Sequence, residues 1–199
     1  EQTLIVNGRE IPAKQNGWQL LHTNASLPMT LSSSMPWQIG FINIERPGRG
    51  VTVSAMGING AQLSQWSKWR PGMWEDLAQT KADLIILAYG TNEAFSGNLD
   101  ISSTERTWRN YIRQIKNTLP NAGILILGAP ESLKTAYGSC GNRPVLLSEV
   151  QQMQQRIARD EKIMFWSWQD ALGGACSMKN WMAQGLAAKD GVHFSAQGY

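Results

Sequence analysis

Three short apolar runs, separated by two helical patterns, most constrain the fold of this chain. The runs are ADLIILAY at residues 82–89, GILILG at 123–128 and IMFWSW at 163–168. Each is apolar at successive positions and rich in branched or aromatic side chains, as in strands that are buried on both faces. One amphipathic helix is predicted between each pair of runs. This βαβαβ pattern predicts an α/β protein with a parallel sheet and helices packed on it.

The two predicted helices are recognised by their caps and by apolar side chains at helical spacing. The first begins near a capping box at Ser102–Glu105 and ends before Pro120; its apolar residues are Trp108, Tyr111, Ile112, Ile115 and Leu119. The second spans about residues 144–160 and places five apolar residues on one face: Val145, Leu146, Val150, Met153 and Ile157. Each helix therefore has one face that can pack on the sheet.

The part of the chain before these runs divides into two predicted regions. Residues 1–49 contain short strand-like pieces separated by Asn-Gly and Pro turns, at 3–6, 18–22 and 39–44. Residues 50–55 (GVTVSA) predict one more strand, and a helical or irregular stretch at 62–79 would complete the βα unit that precedes the sheet. We therefore expect 1–49 to be the C-terminal part of a β-rich module and 50–199 to be an α/β domain.

Composition and charge narrow the classes of function. Of the 199 residues 42% are hydrophobic and 17% charged, which is typical of a globular protein. The formal net charge is only +3 and the basic residues are scattered, so no nucleic-acid partner is expected. No apolar run reaches the roughly 18 residues of a membrane span. The chain starts with Glu1 and shows no signal-peptide pattern, so we expect its natural N-terminus to have been removed, processed or left out.

The two cysteines, Cys140 and Cys176, are far apart and form no CxxC pair, which disfavours a zinc or thioredoxin-type motif. An exported protein with one disulfide fits this pattern, and two unrelated buried thiols are the alternative. Both cysteines fall in predicted loops after strands. A bridge between them would hold the segment that carries His193 against the preceding loop.

Candidate catalytic residues follow the strands, where doubly wound sheets bind their ligands. Asn92, in the turn Gly90-Thr91-Asn92-Glu93, would present amide N–H groups to an oxyanion; a turn asparagine bonded to its own backbone is the alternative. In Asp190-Gly191-Val192-His193, the carboxylate can fold back onto one imidazole nitrogen and leave the other as a base; a surface Asp–His pair is the alternative. His22 has no acidic neighbour, and we expect a structural role for it.

These two motifs, in this order, resemble the later blocks of the SGNH (GDSL-like) hydrolase family, which are Gly-x-Asn-(Asp/Glu) after a central strand and Asp-x-x-His near the C-terminus. The resemblance implies a three-layer, flavodoxin-like fold with a parallel sheet, and a serine hydrolase that needs no metal or cofactor. It implies that His193 is the catalytic base, that Asp190 orients it, and that Asn92 belongs to the oxyanion hole. The backbone N–H of Gly60, with Gly57 as second choice, would be another oxyanion donor.

The family's first block, Gly-Asp-Ser, does not occur in these 199 residues. Several serines are present, but none has the strand-to-helix context of the nucleophile: Ser32, Ser33, Ser34, Ser54, Ser64, Ser132 and Ser139. The chain also stops six residues after His193, where the family continues into a closing helix. We therefore expect the nucleophilic serine upstream of Glu1, on the remainder of the polypeptide.

The motifs GTNEA (90–94) and DGVHFSAQGY (190–199) are similar to those of bacterial peptidoglycan O-acetylesterases, in which a carbohydrate-binding-like β-sandwich interrupts the hydrolase domain. This similarity implies an exported, periplasmic or cell-envelope-associated esterase that removes O-acetyl groups from peptidoglycan. Two alternatives remain: an O-acetyltransferase with the same site, and a non-catalytic glycan-binding protein. Of the nine tryptophans, Trp66, Trp69 and Trp181 are candidates for stacking on sugar rings, whereas core packing is expected for the others considered: Trp108, Trp166 and Trp168.

Overall fold

The chain forms two compact units, Glu1–Met56 and Gly57–Tyr199. The computed structural model describes residues 3–12 and 17–199, so residues 1, 2 and 13–16 of the predicted β-rich module lie outside the described residues. The division falls seven residues after the boundary expected at residue 49.

The first unit contains a small antiparallel sheet. Its strands are β1 (Thr3–Val6), β2 (Arg9–Pro12) and β3 (Leu31–Ser33), in the order β2-β1-β3. Asn7 and Gly8 connect β1 to β2, and both have positive φ, as a tight hairpin turn requires. The predicted strands at 18–22, 39–44 and 50–55 are wrong, because these residues form no regular strand in the structure. A strand needs a neighbouring strand for its backbone hydrogen bonds, and the 50–55 segment is instead exposed.

The second unit alternates helices with three parallel strands. Its elements are a 3₁₀ helix (Leu63–Lys68), α1 (Met73–Thr80), β4 (Leu84–Leu87), α2 (Thr91–Phe95), α3 (Ile101–Thr118), β5 (Gly123–Leu127), α4 (Leu147–Glu161), β6 (Met164–Trp166), α5 (Trp168–Ala171) and α6 (Ser177–Ala183). The strands pair in the order β4-β5-β6, and both pairings are parallel. The predicted α/β class with a parallel sheet is therefore confirmed.

The long helices α3 and α4 pack over one face of this sheet. Their fully buried residues include Trp108 and Ile112 of α3 and Met153 and Ile157 of α4. The start of α3 differs from the prediction, because its N-cap is Asp100, whose carboxylate accepts the Ser102 backbone N–H at 2.9 Å. The start of α4 lies three residues later than predicted, so Val145 is outside the helix and exposed.

The opposite face of the parallel sheet is apolar and exposed. Leu84 and Ile86 of β4 and Met164 and Trp166 of β6 are between 44% and 50% exposed. Through the strand pairing these four side chains lie on one face with Leu125 of β5. We call these residues the open sheet face. The prediction that the strands are buried on both faces is thus wrong for the described residues, which cover one face only.

Candidate active site

The turn that carries Asn92 directly follows β4 and begins with a glycine that no other residue could replace without strain. Gly90 has φ +122°. A Cβ at this position would lie 2.7 Å from Gln154 Nε2 and 2.8 Å from Ala129 Cβ. The buried Gln154 amide holds the ends of two strands together, since it donates to Tyr89 O at 2.7 Å and accepts the Ala129 N–H at 2.8 Å. The chain can therefore turn sharply here and enter α2.

Asn92 makes contact with the glycine-rich loop that was predicted to supply a second oxyanion donor. Its Nδ2 donates to Ala61 O at 2.9 Å, and Gln62 Nε2 donates to Asn92 O at 3.3 Å. Gly60 has φ +76°, and the loop is closed by a hydrogen bond from Ala61 N to Ile58 O of 3.1 Å. The structure thus places Asn92 beside the loop that contains Gly60.

Glu93 adds a second connection between the same two segments. It is 1% exposed, and its carboxylate accepts the backbone N–H groups of Leu63 and Gly90, each at 2.9 Å. Burial raises the pKa of Glu93, and the hydrogen bonds from the backbone oppose that rise. The sequence gives a signal only for the local half of this connection, because Glu93 at the N3 position of α2 can reach back to the N-cap N–H of Gly90. Its bond to Leu63 has no such signal, and the role of Glu93 was not predicted.

The predicted Asp–His pair forms through a direct hydrogen bond. Asp190 Oδ2 lies 2.8 Å from His193 Nδ1, and Oδ1 accepts the backbone N–H groups of Val192 at 2.8 Å and His193 at 3.0 Å. The His193 side chain, followed by the backbone N–H groups, lowers the pKa of Asp190 to about 2. The ionised carboxylate favours the imidazole tautomer with a proton on Nδ1, which leaves Nε2 as the nitrogen that can accept one.

The loop with His193 is attached to the segment that follows β5. Leu133 N donates to Gly191 O at 2.9 Å, and Gly191 packs directly against the Leu133 side chain. The same segment continues to Cys140, which forms a disulfide with Cys176 at the N-terminus of α6. Because β4 and β5 are parallel neighbours, the Asn92 turn and the segment after β5 both leave the sheet at its carboxyl edge. The Asp190–His193 loop is bonded to the second of these segments.

The three candidate sugar-binding tryptophans are not equally accessible. Trp66 is 9% exposed and its Nε1 donates to Tyr89 Oη at 2.9 Å, so its position in the core does not support stacking on a sugar. Trp69 stacks on Trp66 at 4.8 Å between ring centroids and is half-buried. Trp181 is also half-buried; it donates to Leu172 O at 2.9 Å and packs edge-on against Phe194. Trp69 and Trp181 remain candidates.

Within residues 3–12 and 17–199, no three His, Cys, Asp or Glu side chains are grouped as metal ligands would be. No helix in this part of the chain combines the length and the apolar character that crossing a membrane requires.

A parallel sheet with an asparagine turn and an Asp–His loop after its strands is the architecture of an SGNH-type hydrolase. A family model for GDSL-like lipases and acylhydrolases matches residues 38–199. The chain therefore belongs to the GDSL-like lipase/acylhydrolase family.

Solved structures with a similar fold include one of high sequence identity. A peptidoglycan O-acetylesterase is 66% identical with a TM-score of 0.92; the match covers 100% of this chain and 57% of that one. The chain thus spans little more than half the length of that protein. A comparison with curated proteins gave no match.

Two more distant structures show the fold alone. A GDSL-like lipase from Parabacteroides merdae is 19% identical with a TM-score of 0.54, over 70% of this chain and 63% of that one. The acetyl xylan esterase AlAXEase is 16% identical with a TM-score of 0.55, over 71% of this chain and 72% of that one.

Proposed function

We propose that the protein is a serine esterase that removes O-acetyl groups from peptidoglycan through an acyl-enzyme intermediate. The single observation that carries this proposal is the 2.8 Å hydrogen bond between Asp190 and His193, in a chain of the GDSL-like family. The 66% identity to a peptidoglycan O-acetylesterase supports the choice of substrate. A substrate in the cell wall also supports an exported, periplasmic or envelope-associated location.

His193 moves protons between the nucleophile, the sugar and water. In the first half-reaction, the serine oxygen attacks the acetyl carbonyl while His193 Nε2 takes the hydroxyl proton. The same proton then passes to the leaving sugar oxygen as the C–O bond breaks. In the second half-reaction, His193 takes a proton from a water molecule that attacks the acyl-enzyme. It returns that proton to the serine oxygen as the serine–acetyl C–O bond breaks, and acetate is released. Asp190 keeps the imidazole oriented and stabilises its protonated form.

The oxyanion that forms in each half-reaction needs fixed hydrogen-bond donors. We assign this role to Asn92 Nδ2, the Gly60 backbone N–H and the N–H of the serine itself. The side-chain amide of Asn92 has two N–H groups, and the bond to Ala61 O uses only one. That bond also fixes the plane of the amide, so the direction of the second N–H is set before the substrate binds. Donors that are already in place stabilise the transition state without a cost of reorganisation.

The open sheet face supports the proposal that another polypeptide segment completes the hydrolase domain. Its side chains are those of a sheet interior, and burying apolar surface stabilises a protein by about 25 cal/mol per Å². We assign this cover to the segment with the Gly-Asp-Ser block, which would add a strand and a helix. In the same proposal residues 1–49 are the C-terminal part of an inserted β-rich module, and 50–199 belong to the hydrolase domain.

The test is acetate release from O-acetylated peptidoglycan by the full-length protein. Asn92→Ala is expected to lower kcat about a hundred- to a thousandfold with little change in KM, because the lost donor acts in the transition state. Asn110→Ala, at an exposed position of α3, is the matched control and should keep full activity. A loss of less than about threefold would remove Asn92 from the oxyanion hole.

A second measurement separates the alternatives. Mass spectrometry after rapid quenching should find one acetyl group on a serine of the full-length protein. Product analysis with an acetyl donor and a glycan acceptor then distinguishes water from a sugar hydroxyl as the acceptor of that group. A protein that binds glycan but never becomes acetylated would contradict the esterase proposal.

A further inference from the structure

Glu93 is a buried carboxylate that takes no part in the reaction steps proposed above. A buried carboxylate costs several kcal/mol of desolvation unless polar partners compensate it. Glu93 has such partners, because each of its two oxygens accepts one backbone N–H group at 2.9 Å. Neither partner is a side chain, so the carboxylate fixes the backbone itself.

The two N–H groups come from segments that are distant in sequence but meet at the proposed oxyanion hole. Leu63 begins the 3₁₀ helix, three residues after Gly60. Gly90 lies two residues before Asn92 and starts its turn. The carboxylate therefore joins the segment after Gly60 to the turn that carries Asn92. The Asn92–Ala61 hydrogen bond joins the same two segments at a second point.

We propose that Glu93 is a positioning residue that sets the distance between the Gly60 N–H and the Asn92 amide. The proposal rests on the proposed function, since both groups are oxyanion donors there. A carboxylate suits this position because it offers an acceptor on each oxygen. A glutamine would satisfy one N–H group and turn its own NH₂ donor toward the other. One of the two segments would then be released, and the two donors would no longer be held at a common point.

The experiment is a double-mutant cycle in the full-length protein, with Glu93→Gln and Asn92→Ala. If Glu93 acts by positioning the oxyanion donors, E93Q alone should lower kcat at least about tenfold while KM changes by less than about twofold. In the N92A background, the same substitution should lower kcat by less than about threefold, because the donor it positions is already absent. A purely structural role would reduce kcat by the same factor in both backgrounds.

Glu105→Gln is the matched control for loss of a buried or half-buried carboxylate. Glu105 of α3 binds Arg109 of the same helix and Arg156 of α4, each at 2.6 Å. Its substitution should lower the melting temperature but leave kcat within about twofold of wild type. If E105Q and E93Q reduce kcat equally, the positioning role is wrong.

Amide hydrogen exchange provides a readout that does not depend on activity. E93Q should speed up exchange at Leu63 or Gly90, or at both, at a temperature where the rest of the second unit stays protected. Unchanged protection at both amides would overturn the inference. A wild-type protein that releases no acetate, from peptidoglycan or from an activated acetyl ester, would instead overturn the proposed function. If the wild-type protein releases acetate but the effects of E93Q and N92A on kcat are additive, only the role of Glu93 is overturned.

Discussion

Substitution of Gly90 by alanine tests how tightly the Asn92 turn is packed. The new Cβ would stand 2.7 Å from Gln154 Nε2 and 2.8 Å from Ala129 Cβ, well inside normal contact distance. Gln154 cannot swing away, because it is fully buried and both ends of its amide are hydrogen-bonded to backbone atoms. The backbone itself also opposes the change, since Gly90 has φ +122°.

Three contributions set the size of the effect. A non-glycine residue in such a sparsely populated backbone region costs about 1–3 kcal/mol. Overpacking a filled core adds about 1–3 kcal/mol. The reduced entropy of the unfolded chain returns about 0.4–1 kcal/mol. We therefore expect G90A to lower the free energy of unfolding by about 1–5.5 kcal/mol.

Gly185→Ala is the control that separates the backbone strain of a positive φ from the steric overlap of the new Cβ. Gly185 has φ +71°, but a Cβ there would meet no atom within 4 Å. Its substitution should cost only the left-handed strain of about 1–2 kcal/mol. Urea unfolding of the full-length protein, followed by tryptophan fluorescence, measures both variants. If G90A lies within about 0.5 kcal/mol of G185A, the packing argument around Gln154 is refuted. The kcat of G90A should also fall, because Asn92 lies two residues further along the displaced turn.

Three other predictions concern the His193 loop. Replacing both Cys140 and Cys176 by serine should lower the free energy of unfolding by about 3–4 kcal/mol, because the bridge spans 36 residues; a urea midpoint equal to that of wild type would contradict this. The pKa of Asp190 is lowered to about 2, so its carboxylate stays ionised through the acidic limb of the activity profile. The acidic limb of a plot of log(kcat/KM) against pH should therefore keep a slope of about one down to about pH 4, and a slope of two would be inconsistent with the pair. Because the folded pKa lies below the unfolded one, the Asp190–His193 pair stabilises the protein fully above about pH 4 and loses this contribution as pH falls toward 2; acid unfolding of H193A should show a smaller loss over that range.

Local sequence patterns predicted the elements of the second unit well but not their ends. The strands β4, β5 and β6 lie within the three apolar runs, and most of the periodic apolar residues predicted for α3 and α4 are buried. The cap of α3 was misplaced because Asp100 and the serines that follow it are all good caps by residue type. Only the hydrogen bond to the Ser102 N–H distinguishes them. Helix ends depend on single contacts, whereas helix interiors depend on many residues.

In the candidate site, local sequence patterns predicted the short-range contacts but not the long-range ones. Asn92, Asp190 and His193 could be proposed from sequence because each belongs to a short motif whose chemistry is recognisable. The Asp–His hydrogen bond spans only three residues, so the motif itself predicts the contact. Glu93 and Gln154 contact backbone atoms 30 and 65 residues away, and no local pattern contains such partners. Their contribution becomes visible only when the fold brings those segments together.

The open sheet face supports the proposal that another polypeptide segment completes the hydrolase domain. Its composition is stronger support than its exposure. A sheet that has one face in water usually alternates apolar and polar side chains along each strand. β4 has the sequence Leu-Ile-Ile-Leu and β6 has Met-Phe-Trp, so neither strand alternates. Both faces of these strands therefore have the composition of a protein interior. The sequence-based expectation of burial on two faces was wrong for the described residues, but its physical reason still applies, because such strands would be poorly suited to a permanently exposed surface. Covering this face requires a second layer, and the family's serine-bearing segment has the strand and helix that would supply it.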